Sequence, residues 1–408
     1  MRVLLSTIGS RGDVQPMVAL ALQLRELGQE VRICAPPDFR EWIGTLGIPF
    51  VPVGPEVRQT AAPNPSAAQA PPTPEQLRQL MEDTVAGQFE AITPAARGCD
   101  VLVAGMALQF ALHSVAEQMR IPYVYAAWCP ITLPSQHHAP PPLPSWAQPP
   151  TDGTADNRTL WIQDAKRWND LWAAAINSAP VSDVQSHILT NRPWLAADPA
   201  LAPWTETADL DVVQTGAWIR SDQRQLSLEL ETFLDAGEPP VYFGFGSMRA
   251  PQNVSQAIIK AARAVGRRAI VSRGWAGVTL PDNEPDCLSI GEVNLQALFR
   301  RVAAVVHHGG AGTTTAAAQA GAPQVVVPQM YDQHYWAKRV HQLGMGTAHA
   351  PGAPSADSLT EALSHTLKPD VTARARAVAA SVRTDGPEIA ARRLIDEASR
   401  SALGNESR

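Results

Sequence analysis

The sequence predicts an α/β protein made of two doubly wound parallel sheets in tandem. Short apolar runs alternate with helical patterns through the first 130 residues. The same alternation restarts near residue 241, and the stretch between the two arrays is charged and turn-forming. At about 100–200 residues per domain, a chain of 408 residues has two domains as its simplest count.

Taken in order, residues 3–7 form a short apolar run of the kind buried in a parallel sheet. Pro16 stands where a first helical turn tolerates it. Met17, Leu20, Ala21, Leu24 and Leu27 then recur at helical spacing, and Gly28 closes the segment. Further strands are expected at 31–35, 50–53, 101–104 and 123–126. In the second array they are expected at 241–245, 270–272, 288–290, 304–307 and 325–327, with a helix over 254–265. Residues 222–237 read as the linker. The last pattern, 387–399, is an amphipathic helix with Ile389, Leu394 and Ile395 on one side.

Composition narrows the function. With 45% hydrophobic and 18% charged residues the chain has enough apolar surface for a core, which argues against disorder. A net charge of −6 argues against a nucleic-acid partner, whose binders carry a basic footprint. No apolar run reaches the 18 residues of a membrane span and no signal-peptide core follows Met1, so a soluble cytoplasmic protein is expected. Cys34, Cys99, Cys129 and Cys287 include no CxxC pair and read as buried thiols in a reducing compartment. Proline is in excess and clusters at 61–74 and 134–150, after strands of the first array. These stretches read either as plain surface connections or as stiffened loops that shape a substrate cleft.

The strongest motif is His307-His308-Gly309-Gly310-Ala311-Gly312-Thr313-Thr314. It follows a strand pattern and opens a helix of small residues. Glycines let backbone N–H groups approach an anion, and the helix N-terminus adds partial positive charge, so a phosphate fits there without a lysine. Gly9-Ser10-Arg11-Gly12-Asp13 repeats this logic after the first strand. It puts Asp13 at a crevice edge, where it is either a functional carboxylate or a helix cap. Asp332-Gln333, after 325–327, offers a carboxylate and a carboxamide suited to vicinal hydroxyls, and Ser247 adds a hydroxyl after 241–245. Asp209-Leu210-Asp211 matches a DxD metal motif but precedes a strand pattern instead of following one. His137-His138 lacks ligand partners and reads as surface, so no metal site is assigned.

These motifs resemble the GT-B-fold glycosyltransferases that decorate bacterial natural products, and most closely the glycopeptide glucosyltransferases of vancomycin-type pathways. The likeness runs through Gly9-Ser10-Arg11-Gly12-Asp13, Val115-Ala116-Glu117, Ala196-Ala197-Asp198-Pro199, Val213-Gln214-Thr215-Gly216-Ala217-Trp218, Gly244-Phe245-Gly246-Ser247, Ser272-Arg273-Gly274-Trp275, Gly291-Glu292-Val293-Asn294, the 307–314 run and Asp332-Gln333. It implies a GT-B fold of two Rossmann-like domains facing a central cleft. Residues 1–216 would bind the acceptor and 217–385 the nucleotide sugar, with 386–408 a helix returning toward the first domain.

The resemblance also implies inverting transfer without a metal and without a resident cofactor, the nucleotide sugar being a co-substrate. Asp13 matches the general base. Ser10, Arg11, Ser247, His308, Gly310, Gly312 and Thr313 match diphosphate contacts, within the loops that also hold Gly12 and Gly309. Trp275 and Val293 match positions at the nucleotide base, and Asp332 and Gln333 match those at the sugar hydroxyls. UDP-glucose is the expected donor, with a dTDP-deoxysugar as the alternative. The expected acceptor is a bulky aromatic or macrocyclic product such as a glycopeptide antibiotic, with a sterol-like lipid as another option. Trp128 and Trp146 are expected to line its site, core packing being their other reading. A monomer is expected. A nucleotide-sugar isomerase and a non-catalytic nucleotide-sugar-binding protein are the competing classes.

Overall fold

A computed structural model describes residues 1–61, 73–106, 108–141, 155–176, 181, 183–250, 254–282, 284–350 and 352–406. Among the described residues there are thirteen strands. The first seven are β1 (Arg2–Thr7), β2 (Glu30–Ala35), β3 (Phe50–Pro52), β4 (Val101–Gly105), β5 (Tyr123–Ala127), β6 (Trp194–Leu195) and β7 (Val213–Gln214). The other six are β8 (Val241–Gly244), β9 (Ala269–Ser272), β10 (Cys287–Ile290), β11 (Ala304–His307), β12 (Gln324–Val326) and β13 (Gly346–Ala348). They form two all-parallel sheets, ordered β3-β2-β1-β4-β5-β6-β7 and β10-β9-β8-β11-β12-β13.

Both orders reverse direction once, beside β1 in the first sheet and beside β8 in the second. Adjacent loops diverge at such a point and leave a crevice outside the carboxyl ends of the strands. The strands are apolar on both faces because helices cover both faces. Val3, Leu4, Leu5, Val103, Val305 and Val306 are all fully buried.

Helix Arg11–Glu26 starts earlier than its apolar pattern suggests, so Pro16 lies inside it and not in its first turn. The N-cap and the first turn are set by Ser10 and Asp13 instead. The stretch read as a linker contains a capped helix, Leu228–Asp235. Ser227 accepts the Leu230 N–H there, and Leu230 and Leu234 are buried. Strands β6, β7 and β13 escaped the sequence reading because two or three residues carry no periodicity. Parts of both proline clusters, residues 62–72 and 142–150, lie outside the described residues.

The two bodies are joined by specific contacts. Asp198 is fully buried. Its Oδ1 accepts the N–H groups of Ala200 and Leu201, and its Oδ2 accepts that of Arg383 at 2.7 Å. Arg339 of the second body donates to the Leu201 carbonyl at 2.7 Å. The helix Gly386–Glu406 then returns to the first body and packs on Arg11–Glu26, with Ala390, Ala391 and Leu394 in the cluster that holds Val14, Met17 and Trp218. No helix among the described residues is long and apolar enough to cross a membrane.

Leu394 is 1% exposed and Leu228 is 83% exposed. Leu394→Ala is expected to lower the unfolding free energy by about 2–5 kcal/mol in urea denaturation. Leu228→Ala is expected to change it by less than about 0.5 kcal/mol.

Candidate active site

On the first body the site begins where β1 ends. The turn after Thr7 is tight enough that a Cβ on Gly9 would collide with the Asp13 carboxylate. Asp13 is the third residue of its helix, and its Oδ2 accepts the Ser10 N–H at 2.8 Å. The sequence reading set a cap against a functional role for Asp13. The geometry shows the cap, and the capping bond also fixes where the carboxylate points. The crowded surroundings penalise its charge, and the Ser10 bond only partly offsets this, so its pKa is pushed up to about 6. Gly12 lies exposed beside it. Arg11 lays its guanidinium 3.5 Å above the Trp42 ring and reaches Glu292 of the second body at 3.5 Å.

Facing this loop is the segment after β12. Asp332 is half-buried, and Trp336, one helical turn on, donates its Nε1–H to Asp332 Oδ2 at 3.2 Å. Burial, and then the charge of Asp13, raise the Asp332 carboxyl to about 7. The charge of Asp13 thus reaches Asp332 across the gap between the bodies. Gln333 is buried, and its carboxamide oxygen accepts the N–H groups of Gln329 and Met330 at 2.8 and 3.2 Å, which leaves its NH2 end to offer. Tyr331 sits at φ 53°, a strained conformation for a bulky residue. Burial drives its hydroxyl well above the ordinary range, with Tyr125, Asp332, Cys129 and Asp13 adding to the effect.

The glycine-rich turn follows β11. His307 is fully buried. Its Nδ1 accepts the Gly309 N–H at 3.1 Å, so its Nε2 carries the proton to Gln324 Oε1 at 2.9 Å. Burial, together with the neighbouring His308, lowers it to about 3, so it acts as a neutral strut. Gly309 adopts φ +94°, and a Cβ there would press within 2.8 Å of Val326 and 3.1 Å of the Gln333 carbonyl. The turn therefore needs glycine both for its backbone and for its closeness to the Asp332 loop.

Gly310 caps helix Ala311–Gln319 without a side chain, so no side chain occupies the first-turn N–H groups at Ala311, Gly312 and Thr313. His308 is lowered to about 4 by burial, and its Nδ1 is buried with no hydrogen-bond partner. Ser247 lies half-buried on the turn after β8, across the second sheet's crevice from this helix.

The remaining expected residues are spread more widely. Trp275 packs its ring 5.9 Å from Phe39 of the first body, and its backbone N–H donates to the Gly246 carbonyl at 3.0 Å. Val293 is half-buried against a different cluster, with Ile290 and Leu298. Trp128 is 4% exposed and edge-on to Trp218 at 5.3 Å, yet its indole N–H has no partner. Trp146 lies outside the described residues. Asp211 pairs with Arg192 at 3.1 Å. His138, read as surface, is half-buried against Trp161 and Trp204. Sequence reasoning gave His307 and Glu292 a place in motifs but no role of their own, and singled out neither Tyr331 nor Trp336. Only the i,i+4 spacing of Asp332 and Trp336 was there to be found.

The chain is similar to known proteins along nearly its whole length. Residues 3–136 match the family model described as the glycosyltransferase family 28 N-terminal domain. Residues 256–393 match that of the erythromycin biosynthesis protein CIII-like C-terminal domain. The vancomycin aglycone glucosyltransferase of Amycolatopsis orientalis is 50% identical over 409 residues, covering 98% of each chain. A dTDP-epi-vancosaminyltransferase of the same organism is 44% identical over 93% of each chain. The solved structure of a glycosyltransferase of kitacinnamycin superposes with a TM-score of 0.71 at 19% identity. It covers 97% of this chain and 98% of that one, a likeness of fold.

Asp332 ionises harder in the folded protein than in the unfolded chain. Its charge therefore opposes folding above pH 7, opposes it progressively less as pH falls toward 4, and not at all below. Asp332→Asn keeps an acceptor for Trp336. It is expected to raise the Tm by about 2 °C or more at pH 8 and to leave it unchanged near pH 4, as read by calorimetry.

Proposed function

The chain belongs to the GT-B glycosyltransferases of the vancomycin aglycone glucosyltransferase type, and from that premise we propose that it moves glucose from UDP-glucose to a hydroxyl of a glycopeptide-like aglycone, with inversion and without a metal. The observation that carries the reading is the placement of Asp13. It is a half-buried carboxylate of raised pKa, oriented by a backbone N–H, and near enough to the Asp332 loop to influence its charge. The acceptor hydroxyl becomes acidic only as its oxygen bonds to the anomeric carbon, so a carboxylate titrating near neutrality takes the proton at that moment. The leaving diphosphate gathers negative charge on the other side. The open N-terminus of Ala311–Gln319, the unpartnered His308 Nδ1 and the Ser247 hydroxyl are donors of the kind that would receive it. A divalent cation is then unnecessary for charge.

Asp332 and the NH2 end of Gln333 would hold the sugar, with Trp275 and Val293 near the base. The 44% identical dTDP-epi-vancosaminyltransferase keeps a dTDP-deoxysugar as the second donor to test. Trp128 and Trp146 are proposed on the acceptor side. The reaction would take place in the cytoplasm.

Incubation with UDP-glucose and vancomycin aglycone is expected to give a product heavier by one hexose, seen by mass spectrometry. A product only with dTDP-sugars would reassign the donor, and consumption of UDP-glucose without acceptor would indicate an isomerase. Asp13→Ala is expected to slow transfer by about 10²–10⁴ while UDP binding, measured by calorimetry, is retained. The rate of the native enzyme should rise with pH through about 6, as Asp13 loses its proton. Adding Mg²⁺ or Mn²⁺ to EDTA-treated enzyme should leave the rate unchanged.

A further inference from the structure

On the first body, away from the cleft loops, folding gathers two histidines and a glutamate. His113 and Glu117 stand one turn apart on helix Leu112–Met119, and His187 comes from helix Val184–Leu189, 74 residues beyond His113. Each residue offers one ligand atom, and the three atoms lie within 4.8 Å of one another. Tetrahedral zinc with bonds of about 2.0–2.2 Å sets its ligands about 3.3–3.6 Å apart, so the set must draw in by about 1 Å, and Glu117 is exposed and free to move.

The surroundings are those of a prepared site. His113 Nδ1 lies 2.5 Å from the His187 carbonyl and donates to it, which leaves Nε2 with its lone pair. His187 Nε2 lies 3.0 Å from Ser114 Oγ, so the hydroxyl holds one nitrogen and the other is left over. The rings are further fixed by stacking, His113 on Tyr123 at 4.4 Å and His113 beside His187 at 4.4 Å. Tyr123 in turn donates to the Ile188 carbonyl at 2.9 Å. The second group of this kind, Asp282, Asp286 and Cys287, contrasts with it. Arg263 already occupies both carboxylates at 2.8–3.0 Å and supplies the positive charge a metal would bring.

We propose that His113, Glu117 and His187 bind a divalent first-row transition metal of zinc type, with water as the fourth ligand, and that the ion staples helix Leu112–Met119 to helix Val184–Leu189. Two imidazoles and a carboxylate match the preference of such ions. The role is structural, because the stapled helices pin the segment that leads back to β6. It adds nothing to the charge balance at the diphosphate.

The test uses full-length, tag-free protein stripped with EDTA. Zinc titration with a competing chromophoric chelator is expected to show one tight equivalent, and cobalt(II) in its place should give visible bands of a nitrogen- and oxygen-ligated ion. Bound zinc should raise the Tm. Glu117→Gln, exposed and safe for folding, should weaken binding about tenfold or more, as should His113→Ala and His187→Ala. Less than one equivalent bound by the native chain, or native affinity kept by any folded variant of the three, would overturn the site. Failure here leaves the glycosyltransferase reading untouched, since none of the three residues belongs to the cleft.

Discussion

Asp13 and Asp332 follow strands of different sheets, and the charge of Asp13 makes Asp332 harder to ionise. Two like charges do not approach in this way unless something else holds the bodies that carry them. The buried Asp198 carboxylate supplies much of that hold. It accepts two N–H groups of its own turn and a third from Arg383, so one side chain fixes the point where the chain leaves the second body. Arg339 to Leu201 and Arg11 to Glu292 extend the seam on either side. The strained Tyr331 and the raised carboxyls are the energetic cost of this closeness. Such costs collect where chemistry is done.

The nearby donors follow a second rule. Burial holds His307 and His308 uncharged near neutrality, so the glycine turn presents dipoles rather than fixed charge. His307 spends both ring nitrogens on the protein, bracing the Gly309 turn against Gln324. His308 keeps its Nδ1 buried and without a partner. Two adjacent histidines therefore do different work, and the difference lies only in what surrounds each ring.

Most of the architecture was legible because buried parallel strands read as apolar runs, and ten of them announce themselves so. The short strands β6, β7 and β13 did not, since pairing partners and not side-chain pattern make them strands. The site was legible where backbone geometry demands particular residues, as with Gly309 and Gly310, or where a motif follows a strand, as with Asp13 and Asp332. Pairings across the seam were illegible. Nothing in the sequence places Glu292 opposite Arg11, Phe39 against Trp275, or His187 beside His113, because those depend on how two folded bodies meet or how distant helices pack.

The return of helix Gly386–Glu406 onto Arg11–Glu26 makes the second body an insertion in the first, entered near Gly216 and left near Arg383. Exchange of the second body between relatives is therefore an internal cassette swap with two junctions, not a tail swap with one. A recombinant carrying a foreign second half with its own terminal helix must also match the Leu394 side of that helix to the host's Val14 and Met17. Compatibility between the two halves of such a chimera is written as much in this outlying helix as in the seam between the bodies.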